Sequence, residues 1–263
     1  MPDQQKIDDK VANWLRTEGY RIEFETARAF ERVHLSARMG VYVGSEPTTR
    51  REIDVCADHS PWPAGPGTLG KIRIICECKY LRQPWVMLYG ADACTDPLYF
   101  LTTPKTKTLK AMGATPRDRD SLRQTFHFRG GLPVAHNVIE AFRRGDDKDR
   151  AYAAMMKLAD VSRISADGLD ELNVGGLGHV HAIFLPLAVV AGPLLAASYD
   201  ADAKDLNVKE VPWGRVNWAG GRSPMLIDIV RLDHIHEYVA EAAESAVLLG
   251  KLMAQFVAAG TDA

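Results

Sequence analysis

The longest apolar run of the chain, Ala182 to Ser198, limits the fold more than any other segment. Pro186 and the Gly192-Pro193 pair interrupt it, and it falls short of the roughly 18 apolar residues expected of a membrane-spanning helix. It therefore reads as buried strands, beginning with one over Val180–Val190. Buried strands need covering helices, and the flanking sequence supplies their periodicity. Ile7, Val11, Trp14 and Leu15 share one side of a helix over Gln5–Arg16, with Gly19 just past its end. Further helices are expected over Ile22–Ser36, Asn137–Arg144, Asp149–Ala159 and Glu237–Ala258. Strands are expected at Val41–Val43, Arg51–Ala57, Lys71–Lys79, Trp85–Tyr89 and Met225–Val230. Ser60–Gly70, with three prolines and three glycines, reads as a loop; Glu46–Thr49 reads as a turn and Thr102–Asp120 as a polar connection. This alternation predicts an α/β or mixed α+β domain.

The 263 residues, 46% apolar and 25% charged, have the composition of a soluble globular protein and exclude disordered, collagen-like and disulfide-scaffold classes. The N-terminal MPDQQKIDDK lacks the apolar stretch of a secretory signal, and Cys56, Cys76, Cys78 and Cys94 show no secretory spacing. Reduced cysteines and a cytoplasmic location are expected. A zinc site built from Cys56, Cys76 and Cys78 is an alternative, although no CxxC pair is present.

The formal charge of −2 hides an uneven distribution. Residues 1–99 carry 13 basic against 14 acidic side chains, residues 100–150 carry 11 against 6, and residues 151–263 carry 8 against 14. A basic segment of +5 thus lies inside a near-neutral average, with Lys105, Lys107, Lys110, Arg117, Arg119, Arg123 and Arg129 along it. Such a segment is either a solvated face or a set of phosphate contacts.

Chemistry concentrates in two neighbouring strands. Side chains alternate faces, so Glu77 and Lys79 share one face of the second strand while Ile74, Cys76 and Cys78 share the other. On the preceding strand Asp54 is expected on one face with Glu52 and Cys56. Pairing of the strands would bring a carboxylate from each together beside a lysine. Two close carboxylates repel unless a cation neutralises them, and Mg²⁺ prefers such hard oxygen ligands.

The Glu52-Ile53-Asp54 and Glu77-Cys78-Lys79 segments, 23 residues apart from Asp54 to Glu77, resemble the PD-(D/E)xK, restriction-endonuclease-like nucleases. Ile53 stands where the name-giving proline would be. The resemblance has motif support from Tyr20 to Trp85. It implies a restriction-endonuclease-like core, a central mixed β-sheet flanked by helices, over about residues 5–160 of a single domain 1–263. Residues 161–263 would add C-terminal strands and a long terminal helix. It implies a metal-dependent nuclease, most simply a DNA endonuclease using Mg²⁺, with Mn²⁺ as a substitute. Asp54, Glu77 and the Cys78 carbonyl would be metal ligands, and Lys79 would position or activate the attacking water. Glu23 best matches the acidic residue of the preceding helix, with Glu31 second. Many such enzymes act as homodimers. The alternative is a nuclease-like fold without activity that binds nucleic acid or a partner protein.

Weaker candidates stand beside this one. His179-Val180-His181 and His234-Ile235-His236 would form a nitrogen-rich metal site if they converged. Gly175–Gly178 lacks the GK[ST] ending of a phosphate loop. Trp62 and Trp85 are core or rim residues, or base-stacking ones.

Overall fold

A computed structural model describes residues 2–17, 19–44, 50–65, 68–90, 116–129, 132–143, 149–170, 179–219 and 225–260. Helices α1 (Pro2–Thr17) and α2 (Tyr20–Arg32) open the chain. An antiparallel meander follows: β1 (Ser36–Val43), β2 (Arg51–Gly65) and β3 (Thr68–Tyr80). Next come β4 (Trp85–Tyr89), α3 (Pro116–Leu122), β5 (Val134–Ala135), β6 (Asn137–Glu140) and α4 (Arg150–Asp170). The C-terminal part holds β7 (His179–Ala191), β8 (Leu194–Asp200), β9 (Asp205–Glu210), β10 (Trp213–Trp218), β11 (Met225–Arg231) and α5 (Ile235–Gly260). The protein is mixed α+β, and no helix among the described residues is long and apolar enough to cross a membrane.

Among the described residues, seven strands form a mixed sheet in the order β1-β2-β3-β7-β11-β10-β5. Four more form a second sheet, β6-β4-β8-β9. The apolar run lies at the centre as β7, parallel to β3 from Thr68↔His179 to Tyr80↔Ala191 and parallel to β11. Helices cover both faces here, which is why the run is continuous rather than alternating. α2 and α5 pack on Ile72, Ile74, Cys76, Leu187 and Val189; α4 packs on Ile75, Phe184, Ala188 and Val190. Pro186 has no N–H to give a ladder, and it sits just ahead of the first β11 pair, Leu187↔Asp228. Of the strands in residues 161–263, β7, β10 and β11 thus lie in the same sheet as β1–β3, while β8 and β9 join β4 and β6 in the second.

The sheet turns a corner immediately beyond β3. The chain passes from the first sheet to the second between β3 and β4 and again between β7 and β8, tied by Leu81 N–H to Ala191 O (2.9 Å) and Trp85 N–H to Pro193 O (3.1 Å). Gly192, at φ +143°, makes this possible, because a Cβ there would meet the Leu81 Cβ at 2.8 Å.

A second irregularity occurs at Gly40, opposite Asp54. Ala37 and Met39 of β1 pack with the α2/α5 core, whereas Val41 and Val43 pack with the α4 core. On β2, Val55 and Ala57 belong to the first core and Ile53 to the second. The β1–β2 ribbon therefore turns over between these positions, and Gly40 adopts φ +60°, which glycine tolerates. β2 pairs with β3 only from Val55↔Cys76 onward, so the two strands fork at Asp54.

Several sequence expectations are corrected. Asn137–Arg144 is not a helix: Asn137–Glu140 pairs with β4, Val138 opposite Met87 and Glu140 opposite Trp85, so pairing outweighs local periodicity. Ser60–Gly70 is largely ladder, with register shifts between His59/Trp62 and Pro63/Gly65 where the proline-rich segment lies. The second helix stops at Arg32, and the chain reverses through His34 at φ +62° into β1. Glu46–Thr49 and residues 102–115 of the expected polar connection lie outside the described residues, and its end forms α3.

One charged cluster is buried within the sheet–helix layer. Arg215 and Asp228 face each other on β10 and β11, with Nε to Oδ1 at 2.6 Å and Nη2 to Oδ2 at 3.1 Å. The Tyr238 hydroxyl of α5 donates to Asp228 Oδ2 at 2.8 Å, and His127 Nδ1 lies 3.4 Å from the same oxygen. Burial works against the Asp228 charge, but Arg215 outweighs it and holds the carboxyl below its ordinary range. Removing one partner leaves the others charged and dry. Asp228→Ala is expected to lower the unfolding free energy in urea by about 3–5 kcal/mol. Gly40→Val, which forces a β-branched residue to positive φ, is expected to cost about 2 kcal/mol in the same measurement.

Candidate active site

The fork at Asp54 creates the site. Without a ladder partner on β3, its side chain takes the place of a strand, and Oδ2 accepts the Cys78 N–H at 2.8 Å. Glu77 projects on the α4 side and is almost fully buried. Lys79 Nζ lies 2.5 Å from Glu77 Oε1 and 4.0 Å from Asp54 Oδ2, and donates to the Cys78 carbonyl at 3.3 Å. The expected trio therefore meets. One detail differs from strict alternation: Asp54 stays on the α4 side with Cys56, against the Lys157 ammonium, but Ile53 also packs in the α4 core while Val55 packs in the α2/α5 core.

Sequence reasoning missed Lys157. It reaches over from α4 and places Nζ 2.9 Å from Asp54 Oδ1 and 2.5 Å from Glu77 Oε2. The two carboxylate oxygens are thus no farther apart than these contacts laid end to end, about 5.4 Å. The available signal was its position: Lys157 falls three residues after Ala154 and four before Val161, on the apolar face of a helix.

The electrostatics are unbalanced. Burial and the neighbouring Asp54 raise the Glu77 carboxyl above its ordinary value, only partly offset by Lys79 and Lys157. Burial would lower the Lys157 ammonium, but Glu77 and Asp54 raise it overall. Glu23, in the first turn of α2, is pushed up to about 7 by burial first and then by Asp54 and Glu52, against the pull of Lys157 and Lys79. Glu31 is exposed near the far end of the same helix.

Asp54, Glu77 and the Cys78 carbonyl offer hard oxygen donors, a set chemically suited to Mg²⁺ rather than to a soft metal. Among the described residues, no group of three or more His, Cys, Asp or Glu side chains gathers to hold a metal, so a main-chain oxygen and water would have to complete a coordination sphere. The Cys78 thiol turns away toward Thr26 Oγ1 (3.7 Å), and burial pushes it well above its usual range.

The zinc alternative fails on geometry. Cys56 packs in the α4 core, while Cys76 and Cys78 pack in the α2/α5 core across the sheet. Nor do the histidine pairs converge. His179 and His181 begin β7, whereas His234 and His236 follow β11, whose Arg231 is level with Val190. Nine residues of strand separate those levels, about 30 Å. His234 Nδ1 instead meets Glu237 Oε2 at 2.9 Å, and His236 Nε2 meets Arg32 Nη1 at 3.3 Å.

The basic segment is only partly visible. Lys105, Lys107, Lys110, the Arg117 side chain and Gly175–Gly178 lie outside the described residues. Arg119 is exposed on α3, and Arg123 Nη1 meets Asp120 Oδ1 at 2.7 Å. Arg129 Nη2 meets Glu241 Oε2 at 2.6 Å. Trp85 is fully buried, which makes it a core residue, and the Trp62 side chain lies outside the described set.

Because the folded state holds the Glu23 proton more tightly than the unfolded chain, its contribution to stability is full below pH 4.5 and lost as pH rises through about 7. Glu23→Gln is therefore expected to unfold at a higher temperature than the wild type at pH 8, with the gain vanishing toward pH 4.5. Melting curves of both proteins across this range check it; a difference independent of pH contradicts the assignment.

Neither a family model, a curated protein nor a solved structure matches the chain.

Proposed function

We propose that this chain is a divalent-metal-dependent phosphodiesterase acting on nucleic acid, most simply a DNA endonuclease, on a restriction-endonuclease-like core. The observation that carries the reading is the meeting of Asp54, Glu77 and the Cys78 main chain at the fork, with Lys79 Nζ against both carboxylates and the Cys78 carbonyl. A mixed sheet with helices on both faces, adjacent strands bearing Asp54 and Glu77-Cys78-Lys79, and Glu23 on the preceding helix are what the PD-(D/E)xK resemblance implies.

Hydrolysis of a phosphodiester joins a water oxygen to phosphorus and breaks one P–O ester bond. The water gives up a proton, and the leaving oxygen gains one. Asp54, Glu77 and the Cys78 carbonyl would hold Mg²⁺, or Mn²⁺ in its place, which supplies Lewis acidity at the phosphate. Lys79, partly exposed beside Glu77, orients the attacking water and meets the charge that develops on the phosphate oxygens. Glu23, near neutrality in its affinity for a proton, is suited to exchange protons with solvent at this mouth. The Lys105, Lys107, Lys110, Arg117, Arg119 and Arg123 segment would contact backbone phosphates without reading sequence.

One observation favours a second reading. Lys157 already gives both carboxylates an internal counter-charge, as expected of a nuclease-like fold that binds nucleic acid or a protein without cutting. Incubation of supercoiled plasmid with Mg²⁺ or Mn²⁺ separates the two. Cleavage is expected, falling by at least about a hundredfold in Asp54→Asn and Lys79→Ala. Wild type that retains DNA in a gel-shift assay but cuts no faster than these variants supports the binding fold instead.

A further inference from the structure

The edge strand β9 is unusually bare. Among the described residues it ends the second sheet, and all six of its residues, Asp205–Glu210, are exposed. Leu206 and Val208 are 66% and 51% exposed, next to Tyr199 at 56% on β8, paired opposite Leu206. Edge strands with apolar side chains and open backbone groups are templates for another strand unless something blocks them.

The backbone directions on this edge follow from its ladder. Val211 N–H donates to Leu194 O at 3.0 Å, so alternation turns Lys209, Asn207 and Asp205 toward their β8 partners Ala196, Ser198 and Asp200. Leu206, Val208 and Glu210 then direct their N–H and C=O groups outward. The Leu206 N–H is held meanwhile by the neighbouring Asp205 Oδ1 at 2.7 Å.

We infer that β9 pairs antiparallel with β9 of a second copy of this chain, about a two-fold axis at Asn207. A two-fold pair must set outward-facing residues opposite each other. Leu206 opposite Leu206 places Asp205 against Asn207. Val208 opposite Val208 places Leu206 against the charged Glu210, which already pairs with Arg231. Leu206 opposite Val208 is different: it sets the two apolar residues together twice and Asp205 against Lys209 at both ends. Backbone parity, apolar contact and charge agree on this register alone among the three. The pairing would free Leu206 N–H for a main-chain carbonyl and Asp205 for the partner's lysine. A single pair of short strands is a small interface, with a dissociation constant on the order of micromolar. The inference is independent of the nuclease reading.

Sedimentation equilibrium on the full chain, loaded from about 1 to 100 µM, tests it. The wild type is expected to self-associate to a dimer. Asp205→Lys or Lys209→Asp alone places like charges opposite at both ends and weakens the dimer by at least about tenfold. The double variant, Asp205→Lys with Lys209→Asp, restores it, because the same pairs re-form with their signs exchanged. All these positions are exposed, so matching unfolding midpoints verify folding. A wild type monomeric throughout, single variants that associate like the wild type, or a double variant no tighter than the single ones would each overturn the inference.

Discussion

The parallel ladder between β3 and β7 holds the molecule together. Its thirteen consecutive pairs run from Thr68↔His179 to Tyr80↔Ala191, and helices bury both faces. A strand covered on both sides sends each side chain into one of two cores, so a charged residue there must find an internal partner or an opening. Glu77 stands on this ladder opposite Ala188, and Lys79 opposite Val190, one residue before the chain leaves the sheet. The site is therefore set where the best-buried strand of the fold meets its corner, on a rigid backbone.

Two charged groupings share this sheet and behave in opposite ways. At Asp228, Arg215 and Tyr238 bind the carboxylate directly and hold its pKa down, as in a structural ion pair that is largely satisfied. At the fork, three acids crowd two lysines, and both Glu77 and Glu23 are raised instead. Burial acts on all of these groups; the difference is the excess negative charge at the fork. An excess of that kind is a demand for additional positive charge, and it is the physical content behind reading the fork, rather than the Asp228 cluster, as the reactive place.

The fork itself depends on the backbone. Gly40 at positive φ lets β1 and β2 turn over together, and β2 loses its β3 partner at the same level. Only then does Asp54 accept the Cys78 N–H and come within reach of Lys157. A regular hairpin would have kept the main chain of Asp54 tied to β3.

Sequence alone determined the residues whose meaning is local. The apolar run of β7, the isoleucines of β3, the periodicity of α2 and α5, and the pairing of Glu77 with Lys79 on one face follow from period-two or helical spacing. Motif order placed Asp54 beside them. Tertiary structure decided what depends on partners distant in the chain. Asn137–Glu140 became a strand because β4 offered it a ladder, and the proline-rich segment after Ser60 stayed in the sheet through register shifts. Lys157 joined Asp54 across 103 positions, because α4 crosses the sheet just there. Contacts of that kind belong to the packing of whole elements, and local spacing carries no record of them.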